Sequence, residues 1–546
     1  MGRPVSGLAG ATETNQTISS TNESTPSLPN AKLRSNMVTD HFDQGADRHP
    51  DRVCVQAGPI AMTYAEVQAA SHAIGHALGE RGFASAHIAL LAPNDPLGFV
   101  AMLGVLRSGA TYVPLNAREG IDDLIWFLRF ARVSLLVVHS QFLEHVARFR
   151  EGVPSLKSVI GLDTAIEGAS IDRWMQDYEG QRCSTRRGPD DIALIKSTGG
   201  TTGRPKAVMQ SHGALLTSYR VANQLTIPAG EVNHLIVAPM THAAGTNAMA
   251  LSGFAARHII AASPDPATVL EAIERERVTH VFLTPTQIYR LLAHPDTKTR
   301  DCSSLECVIY GAAPMSVEKL REAISLWGPV FLQFYGMSEV PGMITCLTRE
   351  DHRRDGKHLA SAGRPTGVCE VALMDADGKF VGPSQPGEIV LRGSLIGPGY
   401  YDNLEATAEA RPFGWHRTGD VGVFDEGGYL YIVDRVKDLI ISGGFNIYPN
   451  EIEQLIWSHP AVQDCAVVGV LDPDWGELVT AVVELKPGAS VSESEILELC
   501  KQRFGSLKVP KRVEFWSALP RSPVGKVLKK AVRARLHESS QGAVSK

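Results

Sequence analysis

Short apolar runs alternate with helical segments along most of this chain, and that alternation restricts the fold more than any other feature. Runs that predict buried strands lie at 87–91, 110–115, 135–138, 191–195, 235–238, 278–283, 307–310 and 330–334. Segments with apolar residues at helical spacing separate them, at 63–78, 99–106, 124–130 and 269–277. This order is typical of an α/β domain, in which helices cover a largely parallel sheet.

The pattern changes near residue 363. Short alternating strands with glycine turns follow at 388–392, 421–424 and 429–433, and they predict a small antiparallel, β-barrel-like subdomain. A polar segment at 434–438 precedes a compact α+β module at 439–546. The predicted fold class is therefore α/β, with a large N-terminal domain of parallel-rich sheets at 37–433. Residues 1–36 are rich in Ser, Thr, Asn, Gly and Pro and are expected to form a disordered tail.

Composition excludes several classes of protein. The chain has 546 residues and a net charge of −6, so no basic field indicates nucleic acid as a partner. No apolar run approaches the ~20 residues that a membrane span needs, and no apolar signal core opens the chain. The eight cysteines are scattered without zinc-site spacing. We expect a cytoplasmic protein with reduced thiols and no structural metal, as a monomer or homodimer.

A glycine-rich loop follows the apolar run 191–195. Its glycines permit close backbone approach, and its hydroxyls and final lysine suit an anion such as phosphate. The alternative is a surface turn, because Gly and Thr are common in turns. The loop lacks the Gly-Lys-Ser/Thr ending of a Walker A motif. The loop residues expected to bind phosphate are Thr198, Gly199, Gly200, Thr201, Thr202, Gly203 and Lys206.

Other predicted strands also end in glycine-rich or polar segments, at 311–314 and 335–339. In open parallel sheets, ligands bind outside the carboxyl ends of the strands. Near the C-terminus, a Pro/Gly loop at 520–526 carries Lys526 outside any predicted helix. The sequence therefore predicts a ligand site at the carboxyl ends of the strands.

A series of motifs in a fixed order extends over roughly residues 37–540. The series comprises 63–66, 109–116, 198–206, 239–242, 335–339, 387–388 with 392–393, 399–401, 418–420, 434–438, 443–444 with 448–451, and 520–526. It resembles the adenylate-forming superfamily, which includes acyl-CoA synthetases, firefly luciferases and the adenylation domains of non-ribosomal peptide synthetases. The resemblance implies a large N-terminal domain and a small mobile C-terminal domain, with a hinge at 434–438.

The resemblance also implies a reaction in two halves. A small-molecule carboxylic acid attacks the α-phosphate of ATP and releases pyrophosphate, and the thiol of coenzyme A then attacks the acyl-adenylate. ATP, Mg²⁺ and coenzyme A are the implied cofactor and co-substrates. Besides the loop, the residues expected to contact the nucleotide are Gly311, Ala312, Ala313, Tyr335, Gly336, Met337, Ser338, Asp420, Arg435 and Lys526.

Four of the implied roles depend on charge. Lys526 would neutralise charge between the carboxylate and the α-phosphate, and Lys206 would hold the β and γ phosphates. Glu339 would bind Mg²⁺, which prefers oxygen ligands shared with substrate phosphates. Asp420 would accept hydrogen bonds from the ribose. Without the resemblance, these side chains would be read as surface lysines, a solvated loop carboxylate and a turn residue.

The resemblance assigns the second half-reaction to the C-terminal part of the chain. Lys437 matches the hinge position, about which the small domain would rotate between adenylation and thioester formation. Gly443 and Gly444 would line the path of the pantetheine arm.

The acid is predicted to be bulky: aromatic, polycyclic or fatty. His242 occupies the gate position and counts among the catalytic candidates with Lys206 and Lys526. The predicted lining of the acyl pocket is His242, Ala243, Ala244, Gly245, Asn247 and Gly311. Amino-acid-activating relatives carry an Asp near position 242, which this chain lacks. The alternative is that these small residues only pack a helix against a sheet.

Two positions depart from the usual loop, Gly199 in place of Ser and Ala207 in place of Gly. We expect ATP binding to survive, because backbone N–H groups and Lys206 remain. The leading hypothesis is an ATP-dependent acid–CoA ligase. The alternatives are an acyl-AMP ligase that loads an acyl carrier protein in trans, and a non-catalytic nucleotide-binding relative. A non-catalytic relative is disfavoured by five charged candidates: Lys206, Glu339, Asp420, Arg435 and Lys526.

Overall fold

The structure is a computed structural model that describes residues 36–198, 206–353, 356–505, 508–522 and 526–544, with side chains described as far as residue 538. The loop predictions for Gly199, Gly200, Thr201, Thr202 and Gly203 lie outside the described residues. So does the predicted tail, apart from Asn36.

Two large, mainly parallel sheets form the N-terminal part of the described chain. The seven-stranded sheet contains, from edge to edge, Gly399–Tyr400, Ala207–Ser211, Ile192–Ser197, Thr111–Asn116, His87–Ala92, Leu135–Val138 and Ser158–Gly161. The nine-stranded sheet contains Arg364–Pro365, Val340–Leu347, Phe331–Met337, Cys307–Gly311, His280–Leu283, Asn233–Ile236, Arg257–Ile260, Val53–Ala57 and Ile60–Thr63. Their central strands pair in parallel, as the α/β prediction requires.

Helices cover these sheets and bury apolar residues between the layers. They span Val38–Arg48, Tyr64–Glu80, Pro96–Ser108, Ile121–Phe130, Val146–Gly152, Ile171–Gln176, His212–Leu225, Ala243–Ser252, Pro266–Arg275, Pro285–Ala293, Val317–Trp327, Arg349–Arg353 and Leu404–Glu409. A capping box begins the helix Tyr64–Glu80: Thr63 Oγ1 accepts from the Glu66 amide at 3.2 Å, and the Glu66 carboxylate accepts from the Thr63 amide at 2.7 Å. The helix Pro96–Ser108 ends at Gly109, whose φ of 81° suits glycine.

One predicted boundary was wrong in a way that matters for the site. The sequence predicted a loop from Tyr335 onward, whereas the strand Phe331–Met337 continues past Tyr335. Its antiparallel neighbour Val340–Leu347 pairs with it, with Tyr335 opposite Thr345. This ladder holds Tyr335 in the sheet and leaves the turn between the strands to Ser338 and Glu339.

Two smaller sheets follow. The antiparallel one contains Glu370–Met374, Gly387–Arg392, His416–Phe424 and Leu430–Arg435. The last one contains Phe445–Ile447, Ile440–Ser442, Gly476–Leu485, Val462–Asp472 and Arg512–Phe515, and it carries the helices Pro449–Trp457, Glu493–Phe504 and Lys529–Val544. The fold is thus a large N-terminal sheet domain with a smaller C-terminal domain. The boundaries 37–433, 434–438 and 439–546 stay predictions.

All eight cysteines are buried and unbridged, as expected for reduced thiols. Among the described residues, no helix has the length and apolarity that crossing a membrane would require.

Candidate active site

Asp420 is the centre of a hydrogen-bonded cluster that joins the antiparallel sheet to the nine-stranded sheet. It lies on the strand His416–Phe424, directly opposite Arg435 on the neighbouring strand. Arg435 Nε lies 3.2 Å from Asp420 Oδ1, and Tyr335 Oη donates to Asp420 Oδ2 at 2.7 Å. Burial raises the pKa of Tyr335, so its hydroxyl keeps the proton that it donates. The structure therefore brings together three residues that the sequence placed near ribose and adenine.

A carboxylate that was not predicted to act holds the turn before Asp420. Glu388 Oε1 accepts from the Gly419 amide at 3.0 Å, and its other oxygen accepts from Arg417 Nε at 2.6 Å. The Asp420 amide in turn donates to Thr418 Oγ1 at 3.1 Å. The motif at 387–388 signalled Glu388, although no role followed from the sequence.

Lys526 lies close to this cluster, outside any helix, as predicted. Burial, and then the positive charge of Arg435, lower the pKa of Lys526 to about 8, while Asp420 opposes that shift. Ion pairs with buried carboxylates hold the chain on either side of this segment. Arg521 reaches Asp464 at 2.7 Å, and Lys529 reaches Glu453 at 2.8 Å. The Lys526 ammonium is within electrostatic reach of Asp420 and Arg435.

Glu339 and Lys206 are connected through one tyrosine. Tyr400 Oη donates to Glu339 Oε1 at 2.9 Å, and Lys206 Nζ lies 4.6 Å from the centre of the Tyr400 ring. The short strand Gly399–Tyr400 brings this about by pairing with Ala207–Ser211, with Tyr400 opposite Val208. Sequence reasoning assigned Tyr400 no role, although it lies in one of the motifs.

Thr198, the first residue of the loop, is bound to the loop's far end. Its amide and its hydroxyl both donate to the Lys206 carbonyl, at 2.9 and 3.0 Å. These two contacts close the base of the loop. They hold Lys206 where the strand Ala207–Ser211 begins.

The predicted adenine-side residues lie at two strand ends and tolerate little change. A Cβ on Gly311 would lie 2.4 Å from the Phe334 carbonyl oxygen, and one on Gly336 would lie 2.1 Å from that of Gly342. Ala312 has a φ of 66°, which is unusual for a residue other than glycine. Ala313 follows Ala312 in the same bend. Met337 is the last residue of its strand, and the carbonyl of the next residue, Ser338, accepts a hydrogen bond from Gln210 at 2.7 Å.

His242 precedes the helix Ala243–Ser252, and its Nδ1 lies 2.9 Å from Thr241 Oγ1. Burial, and then the positive charge of Lys196, lower the pKa of His242 to about 4. The ring is therefore neutral at pH 7. It can gate a pocket or share a hydrogen bond, but it supplies no cation.

A small cavity, about 20 Å³ in volume, lies between the seven-stranded sheet and the helices that cover it. Its lining is Met102, Leu106, Tyr112, Pro114, Leu194, Lys196, Leu215, Tyr219, Met240, Thr241, Gly245, Thr246 and Met249. A larger neighbouring cleft shares Met102, Tyr112, Met240, Thr241 and Gly245 with it and also reaches Asn94, Asn116 and Arg118. Of the predicted acyl-pocket residues, Gly245 lines both spaces.

The remaining acyl-pocket predictions concern Ala243, Ala244, Asn247, His242 and Gly311. Ala244 and Asn247 are buried on the helix that begins after His242. Their contact with an acid stays a prediction. None of these five residues lines either space; both are lined instead by larger side chains such as Met102, Tyr112 and Met240, because strand and helix residues distant in sequence converge there.

Lys437 lies in a 3₁₀ turn, Val436–Asp438, that follows the strand ending at Arg435. Arg533 reaches Asp438 across this turn at 3.1 Å. Gly443 and Gly444 form the turn of the hairpin Ile440–Ser442 and Phe445–Ile447, with φ values of 57° and 82°. Their predicted roles in rotation and in the pantetheine path stay predictions.

The residues present fit a single Mg²⁺ ion only together with a polyanionic substrate. Within the described ranges, no group of three or more His, Cys, Asp or Glu side chains could hold a metal ion. Glu339 offers one carboxylate, one oxygen of which already accepts a hydrogen bond from Tyr400. Oxygen atoms of the substrate phosphates would have to supply further ligands, as is usual for Mg²⁺.

Comparisons with known proteins identify the family of the chain. The family profile "AMP-binding enzyme" matches residues 42–401, and "AMP-binding enzyme C-terminal domain" matches residues 451–526. A medium/long-chain-fatty-acid–CoA ligase, FadD8, of Mycobacterium tuberculosis is 38% identical over 84% of this chain and 82% of its own length. A feruloyl-CoA synthase of an Amycolatopsis species is 36% identical over 89% of this chain and 96% of its own length.

Among solved structures, the amide bond synthetase McbA from Marinactinospora thermotolerans superposes with a TM-score of 0.84 at 32% identity. The match covers 91% of this chain and 99% of that one. The two family profiles and the relatives lead to one conclusion: the chain belongs to the AMP-binding enzyme family and is an AMP-forming acid–CoA ligase of the acyl-CoA synthetase branch of the adenylate-forming superfamily.

Proposed function

We propose that the cluster around Asp420, together with Lys526, Lys206 and Glu339, activates a bulky carboxylic acid with ATP and passes it to coenzyme A. The observation that carries this proposal is the meeting of Asp420, Tyr335 and Arg435 with Lys526, which comes from the other domain. A cation delivered beside a nucleotide-binding carboxylate suits the attack of one anion on another.

In the first step, a carboxylate oxygen of the acid attacks the α-phosphorus, and the bond to the bridging oxygen of pyrophosphate breaks. Lys526 offsets the charge that gathers between the two anions, while Lys206 binds the leaving pyrophosphate. Mg²⁺, held by Glu339 and phosphate oxygens, would neutralise further phosphate charge. Asp420 retains acceptor capacity for the ribose hydroxyls, since each carboxylate oxygen can accept more than one hydrogen bond.

In the second step, the thiol sulfur of coenzyme A attacks the acyl carbon, the bond to the phosphate oxygen of AMP breaks, and the thiol proton is released. The neutral His242 ring follows Thr241, which lines both spaces, and suits a gate between the acid and the incoming thiol. Rotation about Lys437 would replace Lys526 with the turn at Gly443 and Gly444 on the face that meets the acyl-adenylate.

The relatives favour an acid with a large apolar body, since one is named for fatty acids and another for feruloyl-CoA. The larger cleft, about 310 Å³ in volume and lined in part by Phe99, Met102 and Met240, has room for part of such a body. The cytoplasmic location, the oligomeric state and the carrier-protein alternative remain predictions from the sequence.

The proposal is tested by pyrophosphate release from Mg·ATP with a panel of aliphatic, aromatic and polycyclic acids. Mass spectrometry then identifies the product after addition of coenzyme A, of a phosphopantetheinylated carrier protein, or of a simple amine. The amine is included because one similar structure is named an amide bond synthetase. We expect AMP and the acyl-CoA thioester. A product formed only with the carrier or only with the amine would replace coenzyme A as the acceptor, and no pyrophosphate with any acid would refute the activation step.

A further inference from the structure

The first turn of the helix Pro449–Trp457 is capped by a residue that precedes Lys437, the predicted hinge position. Tyr448, immediately before the helix, makes no side-chain hydrogen bond to this turn. Asp434 Oδ2 instead accepts from the Asn450 amide at 2.8 Å. The amides that begin a helix lack helical partners, so a carboxylate there satisfies a donor and is favoured by the helix dipole. The mechanism proposed above gives Asp434 no task.

Two weaker contacts also join the chain before the hinge to the chain after it. Asn450 Nδ2 donates to the Ile432 carbonyl at 3.3 Å. Gln454 Nε2 donates to the Met315 carbonyl at 3.4 Å. In each contact the donor follows Lys437 in the chain and the acceptor precedes it. Rotation about Lys437 would therefore separate the donors from their acceptors.

Asp434 lies next to the nucleotide cluster. It is buried in the strand Leu430–Arg435, opposite Val421 on the neighbouring strand. The following residue, Arg435, pairs with Asp420 at 3.2 Å. The hydrogen bond to the Asn450 amide thus holds the start of the helix against a strand that belongs to the nucleotide site.

The same helix is tied to the segment that carries Lys526. Glu453, in the first half of the helix, is buried and pairs with Lys529 at 2.8 Å. Lys529 follows Lys526 by three residues, and its ammonium lies within electrostatic reach of Asp434. A contact that fixes the start of the helix to Asp434 therefore also restrains where Lys526 lies relative to Asp420.

We propose that Asp434 is a positioning residue that holds the C-terminal domain in the orientation for adenylation. Its hydrogen bond to the Asn450 amide stabilises this orientation and is lost when rotation separates the two residues. Asp434 thereby sets the ratio between the rates of the two half-reactions. This inference rests on the proposed function, because it takes Lys526 to act in adenylation and the domain to rotate about Lys437.

The test measures each half-reaction in single turnover, with the acid that releases most pyrophosphate in the panel described above. One assay follows acyl-adenylate formation from Mg·ATP, and the other follows thioester formation from the acyl-adenylate and coenzyme A. In Asp434→Ala we expect the ratio of the thioester rate to the adenylation rate to rise about 5- to 30-fold, the range for loss of a helix cap. Asp434→Asn can still accept the hydrogen bond and should shift the ratio less. KM for Mg·ATP should not change, because Arg435 and Asp420 remain.

Gln454→Ala removes another contact across the hinge and leaves Asp434 intact. It should shift the ratio in the same direction by a smaller factor, and it keeps the inference testable if Asp434→Ala does not fold. Asp351→Asn is the matched control, since Asp351 is similarly buried. Its carboxylate accepts from the Thr348 amide at 2.8 Å and from Tyr429 Oη at 2.7 Å, both before the hinge. This variant should keep the wild-type ratio even where its melting temperature falls.

Hydrogen exchange of the enzyme without substrates reports the contact itself. The Asn450 amide should exchange faster in Asp434→Ala than in the wild type, because its acceptor is lost. In Asp351→Asn it should exchange at the wild-type rate. An Asn450 amide that exchanges equally slowly in Asp434→Ala and the wild type would show that Asp434 does not hold the helix.

Two kinetic results would also overturn the inference. In the first, Asp434→Ala keeps the wild-type ratio while both steps proceed, which is the signature of this inference failing alone. In the second, Asp434→Ala slows both steps by one factor or only raises KM for Mg·ATP, which would assign Asp434 to the fold or to nucleotide binding. If the wild type forms no acyl-adenylate with any acid, the proposed function fails and the inference fails with it.

Discussion

Single hydrogen bonds place the charged residues of this site. Tyr335 and Arg435 each contact a different oxygen of Asp420, so the carboxylate plane is fixed before any nucleotide binds. The Glu388 carboxylate accepts a hydrogen bond from the Gly419 amide and so holds the turn before Asp420. A preorganised carboxylate pays little reorganisation cost when the ribose arrives.

Tyr400 offers a direct test of this idea, since it contacts Glu339 through its hydroxyl and Lys206 through its ring. Tyr400→Phe removes only the hydroxyl. A hydrogen bond to a charged group contributes about 1.5–3 kcal/mol, so we expect KM for Mg·ATP to rise at least about tenfold with the fold unchanged. This KM is measured by varying Mg²⁺ and ATP in the pyrophosphate-release assay.

The neighbouring Tyr401→Phe is the control, because Tyr401 packs its ring against His87 and Phe130 instead. Equal KM values for the Tyr400→Phe enzyme and the wild type would show that Tyr400 does not position Glu339.

Lys526 predicts a pH dependence of adenylation. Burial and Arg435 lower its pKa to about 8, so the free enzyme loses the ammonium charge as pH rises through that value. We expect kcat/KM for ATP to fall above about pH 8, because kcat/KM reports groups of the free enzyme. Lys526→Arg, whose guanidinium keeps its proton, should be slower but flat over this range. An alkaline limb that persists unchanged in Lys526→Arg would assign the titration to another group.

Sequence reasoning singled out residues that lie in motifs and missed those that are defined by their contacts. Asp420, Arg435 and Tyr335 were assigned to the nucleotide, and the structure brings them together. Tyr400 was missed because its contacts, Glu339 and Lys206, are distant in the chain.

At the level of elements, three histidines form a row across the nine-stranded sheet. His234, His258 and His280 lie in register on adjacent parallel strands and are fully buried. His258 contacts His234 between Nδ1 atoms at 3.0 Å and Ser252 through Nε2 at 3.0 Å. Because an Nδ1–Nδ1 hydrogen bond needs one donor and one acceptor, at least one of the two rings must be neutral.

This row predicts that acid destabilises the fold. Burial lowers the pKa of His258 to about 3 and that of His280 to about 4, and burial with the neighbouring rings lowers the pKa of His234. As pH falls below about 6.5, the unfolded chain binds protons that the folded chain does not. The contribution of the neutral histidines to the free energy of unfolding is therefore fully present above about pH 6.5. Below that pH it decreases by about 1.4 kcal/mol per pH unit for each such proton.

Urea unfolding at pH 7, 6 and 5 measures this slope, and His280→Gln should reduce it by about 1.4 kcal/mol per pH unit between pH 6 and 5. Glu306 and Arg349 also influence the pKa of His280, in opposite directions. A wild-type stability that does not change from pH 7 to 5 would show that the row does not stay neutral as described.

The 3₁₀ turn at Val436–Asp438 carries the predicted hinge. Lys437→Pro fixes φ near −65°, close to the helical value, and so restricts rotation at this residue. We expect acyl-adenylate formation to remain within a few-fold of the wild type, while thioester formation falls at least about tenfold. Single-turnover assays of the two half-reactions separate these effects.

Lys437→Ala removes the same side chain without restricting the backbone, and it should form the thioester faster than Lys437→Pro. Equal loss in both variants would assign the effect to the lysine charge. Equal loss of adenylation and thioester formation in Lys437→Pro would contradict a role in alternation.

For the whole molecule, strand and helix alternation predicted the α/β architecture because buried parallel strands read as continuous apolar runs. The short edge strands, such as Arg364–Pro365 and Gly399–Tyr400, were not predicted, since two residues carry no periodicity. The convergence of both domains on Asp420 was expected only from the resemblance. No local pattern links residue 420 to residue 526.

The central claim is that this convergence forms an acyl-adenylate. Acid-dependent exchange of labelled pyrophosphate into ATP measures that step directly, without any acceptor. We predict exchange that needs both Mg²⁺ and acid, falls ~10²–10³-fold in Lys526→Ala because an aimed charge is lost, and is unchanged in the exposed Lys530→Ala. Exchange that is absent with every acid, or equal in Lys526→Ala and the wild type, would contradict the account.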